Sequence, residues 1–460
     1  MVNPVRSHGS WDQPRECVSD WRKCTILSGP CVVAGDQFMK HRTSALALLS
    51  SIALGVLRTG CASQTHALGP ARHRLSEASR AALSRQLDAA VARGDTPGVV
   101  ALVVDHNGVL YEGSAGKLDV VRNLPMKSDA IFRIASMTKP ITSVAIMMLL
   151  EEEKLRLDDP VSRYLTGFAD LRVITTFNAT DGSYETRPAK RPMTIRHLLT
   201  HTSGIGYAFS SPIVARLKEG TQKREWELPL LHDPGEKWTY GASTVVLGRI
   251  VEKVSGSSLE AYFQKRIFRP LGMADTSFAV AADKQSRVPT VYNRTNGELQ
   301  ERPRETIVST PTPPFEGDGG LYSTAQDYGL FMRMLLNGGR LGSVRLLTEK
   351  SVRLMGENQI GAIFIEQQPA ANPLLAKPFP LGAGRDRFGL GFQIASKDDD
   401  HAKYRSPGSL SWAGLYNTEF WIDPRRHVAG VVLMQLLPFY DDGAIHTLKD
   451  FEQIVYQHLH

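Results

Sequence analysis

Residues 132–140 read Phe-Arg-Ile-Ala-Ser-Met-Thr-Lys-Pro and place Ser136 three positions before Lys139. On a helix, residues three apart share a face, so the two side chains would lie side by side. A helix that begins near Ser136 would also point its free N–H groups and the positive end of its dipole at the serine. Because a serine hydroxyl needs a neighbouring base, the segment predicts Ser136 as a nucleophile and Lys139 as a group that accepts or relays its proton.

The S-x-x-K pattern is not decisive by itself, because roughly one such tetrapeptide is expected by chance in a chain of this length. The alternative is a serine that caps a helix and a lysine that points into solvent. The residues that follow favour the first interpretation, since one face of the next turns is apolar at Ile141, Val144, Met148 and Leu149. This face predicts a central helix over 136–155, in which Pro140 is tolerated in the first turn.

A second segment, residues 233–243, reads Asp-Pro-Gly-Glu-Lys-Trp-Thr-Tyr-Gly-Ala-Ser. Its Pro-Gly pair predicts a turn, so Tyr240 falls on a loop before an apolar helix over Val245–Val254. A tyrosinate beside Lys139 can act as a general base, because a nearby ammonium favours the phenolate. The alternative is a core tyrosine whose hydroxyl is satisfied, and this segment alone favours that alternative.

A third segment, Ser411-Trp412-Ala-Gly414-Leu415, precedes a predicted strand over Thr418–Ile422. A small residue and a glycine beside an edge strand allow a ligand to approach the backbone closely, so Trp412 and Gly414 are candidate substrate-binding residues. The backbone N–H of Leu415, paired with that of Ser136, is a candidate oxyanion hole. The alternative is a simple turn that leads into a strand.

The arrangement of helical and strand patterns along the chain predicts an α+β fold. A helix is predicted over 73–93 and a β-hairpin over 98–116, strands return after residue 389, and a helix is predicted over 443–459. We therefore expect an antiparallel sheet formed by N- and C-terminal strands, flanked by helices and interrupted by a mostly helical subdomain. The α/β part would cover about 76–135 and 310–457, and the helical part about 140–309, with an inserted polar loop at 176–191.

Several further segments occur in the same order as in a known group of proteins. They are Ile195-Arg-His-Leu-Leu-Thr-His-Thr-Ser-Gly204, Gly317-Asp-Gly-Gly-Leu-Tyr-Ser-Thr324 and Phe420-Trp-Ile-Asp-Pro424. With the three segments above, they resemble the serine β-lactamase and penicillin-binding-protein superfamily over about residues 76–457. The resemblance is nearest to the class C-like branch and its family VIII carboxylesterases. It implies that Ser136 is acylated and that Lys139 and Tyr240 handle the proton.

Two departures from that superfamily bear on the substrate. Its β-lactamases and transpeptidases have Y-x-N, whereas Tyr240 is followed by Gly241 and Ala242. They also have K-T-G, whose lysine attracts a substrate carboxylate, where this chain has Trp412-Ala-Gly414. The W-x-G pattern resembles family VIII esterases, so we expect hydrolysis of short-chain carboxylic esters. A class C-like β-lactamase or D-Ala-D-Ala peptidase and a weakly catalytic penicillin-recognition or sensor domain stay open as alternatives.

Residues 39–63 have the layout of a secretory signal peptide, with Lys40 and Arg42 before an apolar run over Ser44–Leu57 and small residues after it. That run is shorter than the about 20 residues that span a bilayer. The sequence therefore predicts an exported protein, periplasmic or secreted, and residues 1–38 would be a mis-annotated or disordered extension. Cys61 is a candidate lipid-attachment site, with ordinary cleavage near Ser63 or Ala67, or a buried amphipathic helix, as alternatives.

Composition excludes several other classes of protein. The formal net charge is +7 over 460 residues without a long basic run, so nucleic-acid binding is not expected. All four cysteines lie at or before Cys61, which leaves the predicted domain without a thiol nucleophile. His197 and His201 have a spacing that suits a metal, but no Glu follows His197 as in H-E-x-x-H. We expect no metal and no cofactor, a small-molecule ester or β-lactam as substrate, and no stable membrane span.

Overall fold

The N-terminal and C-terminal parts of the chain meet in one antiparallel sheet of eight strands, in the order β12-β13-β14-β15-β16-β1-β2-β3. The computed structural model describes residues 73–303, 305–397 and 404–459. Its strands are β1 (Gly98–Asp105), β2 (Val109–Asp119), β3 (Leu124–Pro125), β4 (Phe132–Arg133), β5 (Arg172–Phe177), β6 (Tyr184–Pro188), β7 (Tyr292–Thr295), β8 (Glu298–Glu301), β9 (Tyr322–Ser323), β10 (Arg340–Leu341), β11 (Val344–Arg345), β12 (Arg387–Phe388), β13 (Gln393–Ile394), β14 (Leu410–Gly414), β15 (Thr418–Asp423), β16 (Val428–Leu433) and β17 (Leu436–Leu437).

Helices pack on both faces of this sheet, and most of them lie in the chain between strands β3 and β12. They are α1 (Glu77–Ala92), α2 (Thr138–Glu151), α3 (Ile195–Leu199), α4 (Pro212–Lys218), α5 (Ser243–Ser255), α6 (Leu259–Phe263), α7 (Arg269–Leu271), α8 (Ala325–Leu336), α9 (Glu349–Met355) and α10 (Asp442–His458). The prediction of an α+β fold with an antiparallel sheet made by the two ends of the domain is confirmed.

Strand β1 shows why the sheet is covered on both faces. All eight of its residues are buried. Val99 and Val103 pack in a cluster with α1 and α10, whereas Val100 and Val104 pack in the larger cluster that contains α2. Successive side chains of a strand point to opposite faces, so a continuous run of β-branched residues suits a strand between two helical layers.

Helix α2 is the central helix that the apolar pattern after Lys139 predicts. Every residue from Thr138 to Leu149 is buried. A short 3-10 turn over Ala135–Met137 precedes it, so the α-helix begins two residues later than predicted and ends at Glu151. Pro140 lies in the first turn, where its missing N–H leaves no intrahelical bond unmade.

The polar segment at 176–191 is not the irregular loop that its composition predicts. It belongs to a β-hairpin in which β5 pairs with β6 in antiparallel register. Most side chains of both strands are exposed or half-buried. Because neither face of this hairpin is fully buried, the sequence lacks the apolar alternation by which a strand is recognised.

None of the helices in the described ranges combines the length and apolarity needed to cross a bilayer. The predicted signal peptide over 39–63, the extension over 1–38 and the candidate lipid site at Cys61 lie outside the described residues.

Candidate active site

The turn that carries Ser136 is strained. Ala135, the residue before it, has φ of +42°, a backbone conformation that is costly for a side chain with a Cβ. Ser136 then sits in the 3-10 turn before α2 and is half-buried. Strained turns of this kind persist only where the surrounding structure fixes them, and they concentrate at functional sites.

Contacts from three parts of the chain hold this turn in place. The N–H of Ile134 donates to the carbonyl of Leu321 at 3.0 Å, and the Ile134 carbonyl accepts from the Thr418 hydroxyl at 3.3 Å. On the other side of the nucleophile, the Tyr328 hydroxyl donates to the carbonyl of Met137 at 3.0 Å. The loop before β9, strand β15 and helix α8 thus fix the backbone on both sides of Ser136.

Lys139 lies next to Ser136, as the helical spacing predicts. Its Nζ donates to Ser136 Oγ at 2.9 Å and to the backbone carbonyl of Asp318 at 2.8 Å. The Asp318 carboxylate lies 4.0 Å from the same nitrogen, and only 2% of Lys139 is exposed. The lysine is therefore a buried donor that is held by two oxygens and faced by a carboxylate.

Tyr240 reaches the same hydroxyl from the loop before α5. Its phenolic oxygen lies 2.7 Å from Ser136 Oγ, and its ring centre lies 4.8 Å from Lys139 Nζ. The following Gly241 is required by packing, because a Cβ there would lie 1.9 Å from the carbonyl oxygen of Ile205. The structure thus brings the three predicted catalytic side chains into one hydrogen-bonded group.

A second tyrosine and a carboxylate complete the surroundings of the lysine. The Tyr207 hydroxyl donates to the Asp318 carboxylate, and its ring centre lies 5.3 Å from Lys139 Nζ. Burial and the Asp318 charge hold the pKa of Tyr207 well above its usual range, so this phenol stays neutral. Of the two tyrosines beside the lysine, only Tyr240 is bonded to Ser136. Sequence reasoning missed Tyr207 and Asp318, although Asp318 lies in the quoted 317–324 segment.

The two histidines that suggested a metal pair have separate environments. His197 accepts a hydrogen bond at Nδ1 from the N–H of Thr194 and caps the start of α3. His201 packs against Tyr240 and Trp412, with ring centres 4.9 and 6.3 Å away. Its burial, assisted by the charge of Lys139, holds the pKa of His201 well below its usual value. In the described ranges, no three His, Cys, Asp or Glu side chains form a group that could hold a metal ion.

The W-x-G segment forms the end of β14, the strand beside the nucleophile. Trp412 packs on Tyr240 with ring centres 5.0 Å apart, and it lines the same cavity as Leu415. A Cβ on Gly414 would lie 2.2 Å from the carbonyl oxygen of Ile134, so this glycine lets the strand pack against the nucleophile's turn. It is not among the residues that line the cavity. The placement of Leu415 on the cavity wall is compatible with an oxyanion hole.

A cavity of about 380 Å³ opens onto Ser136, within the range of small-molecule sites. Its wall is largely aromatic and includes Phe209, Tyr322, Phe379, Trp412 and Phe439. Arg133 and Glu305 lie on the same wall, 3.9 Å apart. The aromatic part of the wall suits an apolar acyl or alcohol group of a substrate.

This fold, with a serine and a lysine at the start of its central helix, defines an enzyme of the serine β-lactamase and penicillin-binding-protein superfamily. The chain belongs to the Beta-lactamase family, whose model matches residues 83–453. The resemblance that the sequence motifs indicate is therefore confirmed, including its esterase-like branch.

Three relatives show what this chain is similar to. Protein Rv1367c of Mycobacterium tuberculosis is 37% identical over 361 residues, which cover 74% of this chain and 86% of that protein. Monacolin J acid methylbutanoyltransferase of Aspergillus terreus is 30% identical, and the alignment covers 80% of this chain and 93% of that enzyme. Esterase EstB of Burkholderia gladioli is 29% identical, and the alignment covers 77% of this chain and 90% of that esterase.

Among solved structures, a mutant of simvastatin synthase (LovD) from Aspergillus terreus superimposes with a TM-score of 0.70 and 28% identity. The superposition covers 82% of this chain and 95% of the simvastatin synthase chain. The proteins similar to this chain thus include acyltransferases and an esterase.

Proposed function

We propose that this protein is a serine carboxylesterase that cleaves short-chain esters through an acyl-enzyme on Ser136. The observation that carries the proposal is the hydrogen-bonded group of Ser136, Lys139 and Tyr240 at the bottom of an aromatic cavity. A nucleophilic serine with a base within hydrogen-bond reach is the arrangement that acyl transfer requires. The family's esterase and acyltransferase members support the same chemistry.

In the first half-reaction, Tyr240 as a phenolate takes the proton of Ser136 while Oγ attacks the ester carbonyl carbon. The Lys139 ammonium stabilises the phenolate and the developing alkoxide. The backbone N–H groups of Ser136 and Leu415 bind the oxygen of the tetrahedral intermediate. When the intermediate collapses, the alcohol leaves with the proton held by Tyr240, and the acyl group stays on Ser136.

In the second half-reaction, water replaces the alcohol. Tyr240 takes a proton from the water, whose oxygen attacks the acyl carbon, and Ser136 leaves with that proton. The acid is released and the site returns to its starting state. The Tyr240 oxygen lies close enough to Ser136 Oγ, at 2.7 Å, to serve as the proton carrier in both halves.

An alcohol in place of water would make the same site an acyltransferase. The methylbutanoyltransferase relative supports this as a second candidate function. It can be measured as the share of acyl-enzyme that forms a new ester when an alcohol is added to the assay. Hydrolysis alone, with no ester product at any alcohol concentration, would limit the function to esterase.

The preference for neutral esters over β-lactams follows from Trp412. Where superfamily members that bind a substrate carboxylate have a lysine, this chain places an indole on the cavity wall. A direct test compares p-nitrophenyl butanoate with a chromogenic cephalosporin, using the wild type and Ser136→Ala. We expect ester turnover to dominate and to vanish in the variant. Cephalosporin turnover well above ester turnover would favour a β-lactamase, and rapid acylation without product release would favour a sensor domain.

A further inference from the structure

Glu419 is a buried carboxyl group on the wall of the cavity that contains Ser136. It lies on β15, opposite Ala413 of β14, and only 7% of it is exposed. Trp421, two residues along the same strand, packs in the cluster that contains α10. Because side chains two apart share a face, Glu419 projects from the α10 face of the sheet, opposite the face on which α2 packs.

Strand β14 has a partly free edge beside this face. Strand β13 pairs with β14 only at Leu410 and Ser411, so within the described chain the edge beyond Ser411 carries no further strand. Glu419 and Arg405 line the same cavity as Trp412 and Ser136. We call the part of its wall that is formed by Glu419, Arg405 and Tyr440 the polar end of the cavity.

One carboxyl oxygen of Glu419 lacks a hydrogen-bond donor in the part of the chain that the structure describes. Its Oε1 is buried and has no hydrogen-bond partner among the residues that the structure describes. A buried polar atom without a partner costs stability, and such atoms in native structures call for a functional explanation. A substrate group in the polar end of the cavity would supply the missing partner.

The charges around Glu419 restrict what that group can be. Arg405 donates through Nε and Nη2 to the Glu452 carboxylate at 2.8 and 2.7 Å, so this buried pair neutralises itself. The Tyr440 hydroxyl accepts from the N–H of Leu381 and keeps its own proton, because burial holds its pKa far above the usual range. Burial also raises the pKa of Glu419 to about 8 despite Arg405, so at neutral pH it is a carboxylic acid.

Because Arg405 is already paired with Glu452 and Glu419 is a neutral acid, these surroundings offer a ligand no unpaired charge. A charged ligand group would therefore lose its hydration here without gaining a counter-ion, which is unfavourable. A neutral oxygen, by contrast, can accept the acid proton and, if it is a hydroxyl, donate to Oε1.

We propose that Glu419 is a substrate-binding residue that holds a neutral hydroxyl or carbonyl oxygen of the ester at the polar end of the cavity. This inference rests on the proposed function. It predicts that the enzyme prefers oxygen-bearing short esters over plain alkyl esters of the same shape.

The test uses ester pairs in which a terminal methyl is replaced by a hydroxyl of similar size. One series varies the acyl side, as in p-nitrophenyl heptanoate against p-nitrophenyl 6-hydroxyhexanoate, and the other varies the alcohol side, as in pentyl butanoate against 4-hydroxybutyl butanoate. Each series runs through several chain lengths so that some member reaches Glu419. We expect wild-type kcat/KM to favour the best hydroxylated ester by about tenfold, as one net hydrogen bond allows.

Two variants assign this preference to the carboxyl group. Glu419→Gln keeps a donor and an acceptor and should retain the preference within about threefold, whereas Glu419→Leu should bring the kcat/KM ratio of each ester pair to about one. If Glu419→Leu does not fold, a third series replaces it, in which the terminal hydroxyl is exchanged for a ketone, a group that can only accept a hydrogen bond. The preference for the ketone should fade above pH 8 in the wild type as Glu419 loses its proton and should persist in Glu419→Gln, while Arg405 and Tyr440 keep their charge states.

Each outcome separates this inference from the proposed function. A wild type that hydrolyses plain esters but prefers no hydroxylated ester in either series would overturn the role of Glu419 alone. A hydroxyl preference that survives unchanged in Glu419→Leu, or a ketone preference that is insensitive to pH in the wild type, would overturn it as well. Absence of all ester turnover would instead refute the proposed function.

Discussion

The phenolic oxygen of Tyr240 lies 2.7 Å from Oγ of Ser136, although 104 residues separate the two in the chain. Lys139 Nζ approaches the same Oγ at 2.9 Å, so one hydroxyl is shared by two proton-handling groups. The Asp318 carboxylate lies 4.0 Å from the same lysine nitrogen, and we propose Tyr240 as the proton acceptor.

Tyr240→Phe removes this acceptor and leaves the ring packed on His201 and Trp412. We expect kcat/KM for p-nitrophenyl butanoate to fall by at least about a hundredfold, the usual contribution of a general base. The thermal midpoint should change little. Tyr207→Phe is the matched control, because its hydroxyl bonds to Asp318 and should cost far less activity. Equal losses in the two variants would contradict the assignment of the base.

Asp318→Asn keeps a hydrogen-bond acceptor for Tyr207 but removes the charge that faces Lys139. Because Lys139 then loses the opposite charge 4.0 Å away that helps to hold it beside Ser136, we expect kcat to fall about tenfold. The measurement is kcat for ester hydrolysis in the variant and the wild type. An unchanged kcat would show that Asp318 acts through its backbone carbonyl alone.

Gly414→Ala places a Cβ 2.2 Å from the Ile134 carbonyl oxygen and 2.3 Å from the Thr418 hydroxyl. Strand β14 must then move away from the nucleophile's turn, which we expect to cost about 1–3 kcal/mol of stability and most of the activity. Denaturant unfolding and ester hydrolysis measure the two effects. Gly167→Ala is the control, since nothing lies within 4 Å of its added Cβ. Full activity in Gly414→Ala would mean that the turn does not depend on this contact.

Glu419→Gln should stabilise the protein at alkaline pH and not at acid pH. The pKa of Glu419 is raised from 4.5 to about 8 by burial, so its ionisation opposes folding. Below about pH 4.5 the Glu419 carboxyl is neutral in both the folded and the unfolded state, so its ionisation does not affect stability. As pH rises towards 8, the folded state loses stability relative to the unfolded state, and above 8 the loss is complete, on the order of 4 kcal/mol.

The corresponding measurement is the thermal midpoint of both proteins between pH 4 and 9. We expect the variant to melt several degrees higher at pH 9 and at nearly the same temperature at pH 4. The exposed Glu298→Gln serves as a control that should follow the wild type throughout. A constant difference between Glu419→Gln and the wild type would show that ionisation of Glu419 is not its cause.

The part of the site that the sequence predicts rests on short-range patterns. Ser136 and Lys139 are neighbours through helical spacing, and the apolar residues after them require a central helix. Tyr240 and Trp412 could be placed only by resemblance, because no local rule brings a loop at 240 or a strand at 412 to the start of α2. The structure shows them in contact with each other and Tyr240 with the nucleophile.

The residues that the sequence does not predict depend on long-range contacts. Asp318 meets Lys139 across 179 residues through a backbone carbonyl, which carries no signal of residue type. Glu419 offers a weak signal, a carboxyl directly before three large apolar residues, Phe420, Trp421 and Ile422. Its proposed role follows only from its place on the wall of the cavity that contains Ser136. The hairpin of β5 and β6 was missed because its exposed faces lack an apolar period.

The central claim is that the acyl group is carried by Ser136, and peptide mapping after rapid acid quench tests it most directly. The wild type is mixed with p-nitrophenyl butanoate and quenched within the first turnover, and the proteolytic peptides are analysed by mass spectrometry. We predict a butanoyl group on the peptide that contains Ser136, with p-nitrophenol released in equal amount. Ser136→Ala should show neither. An adduct on another residue, or ester turnover in Ser136→Ala equal to that of the wild type, would contradict the account.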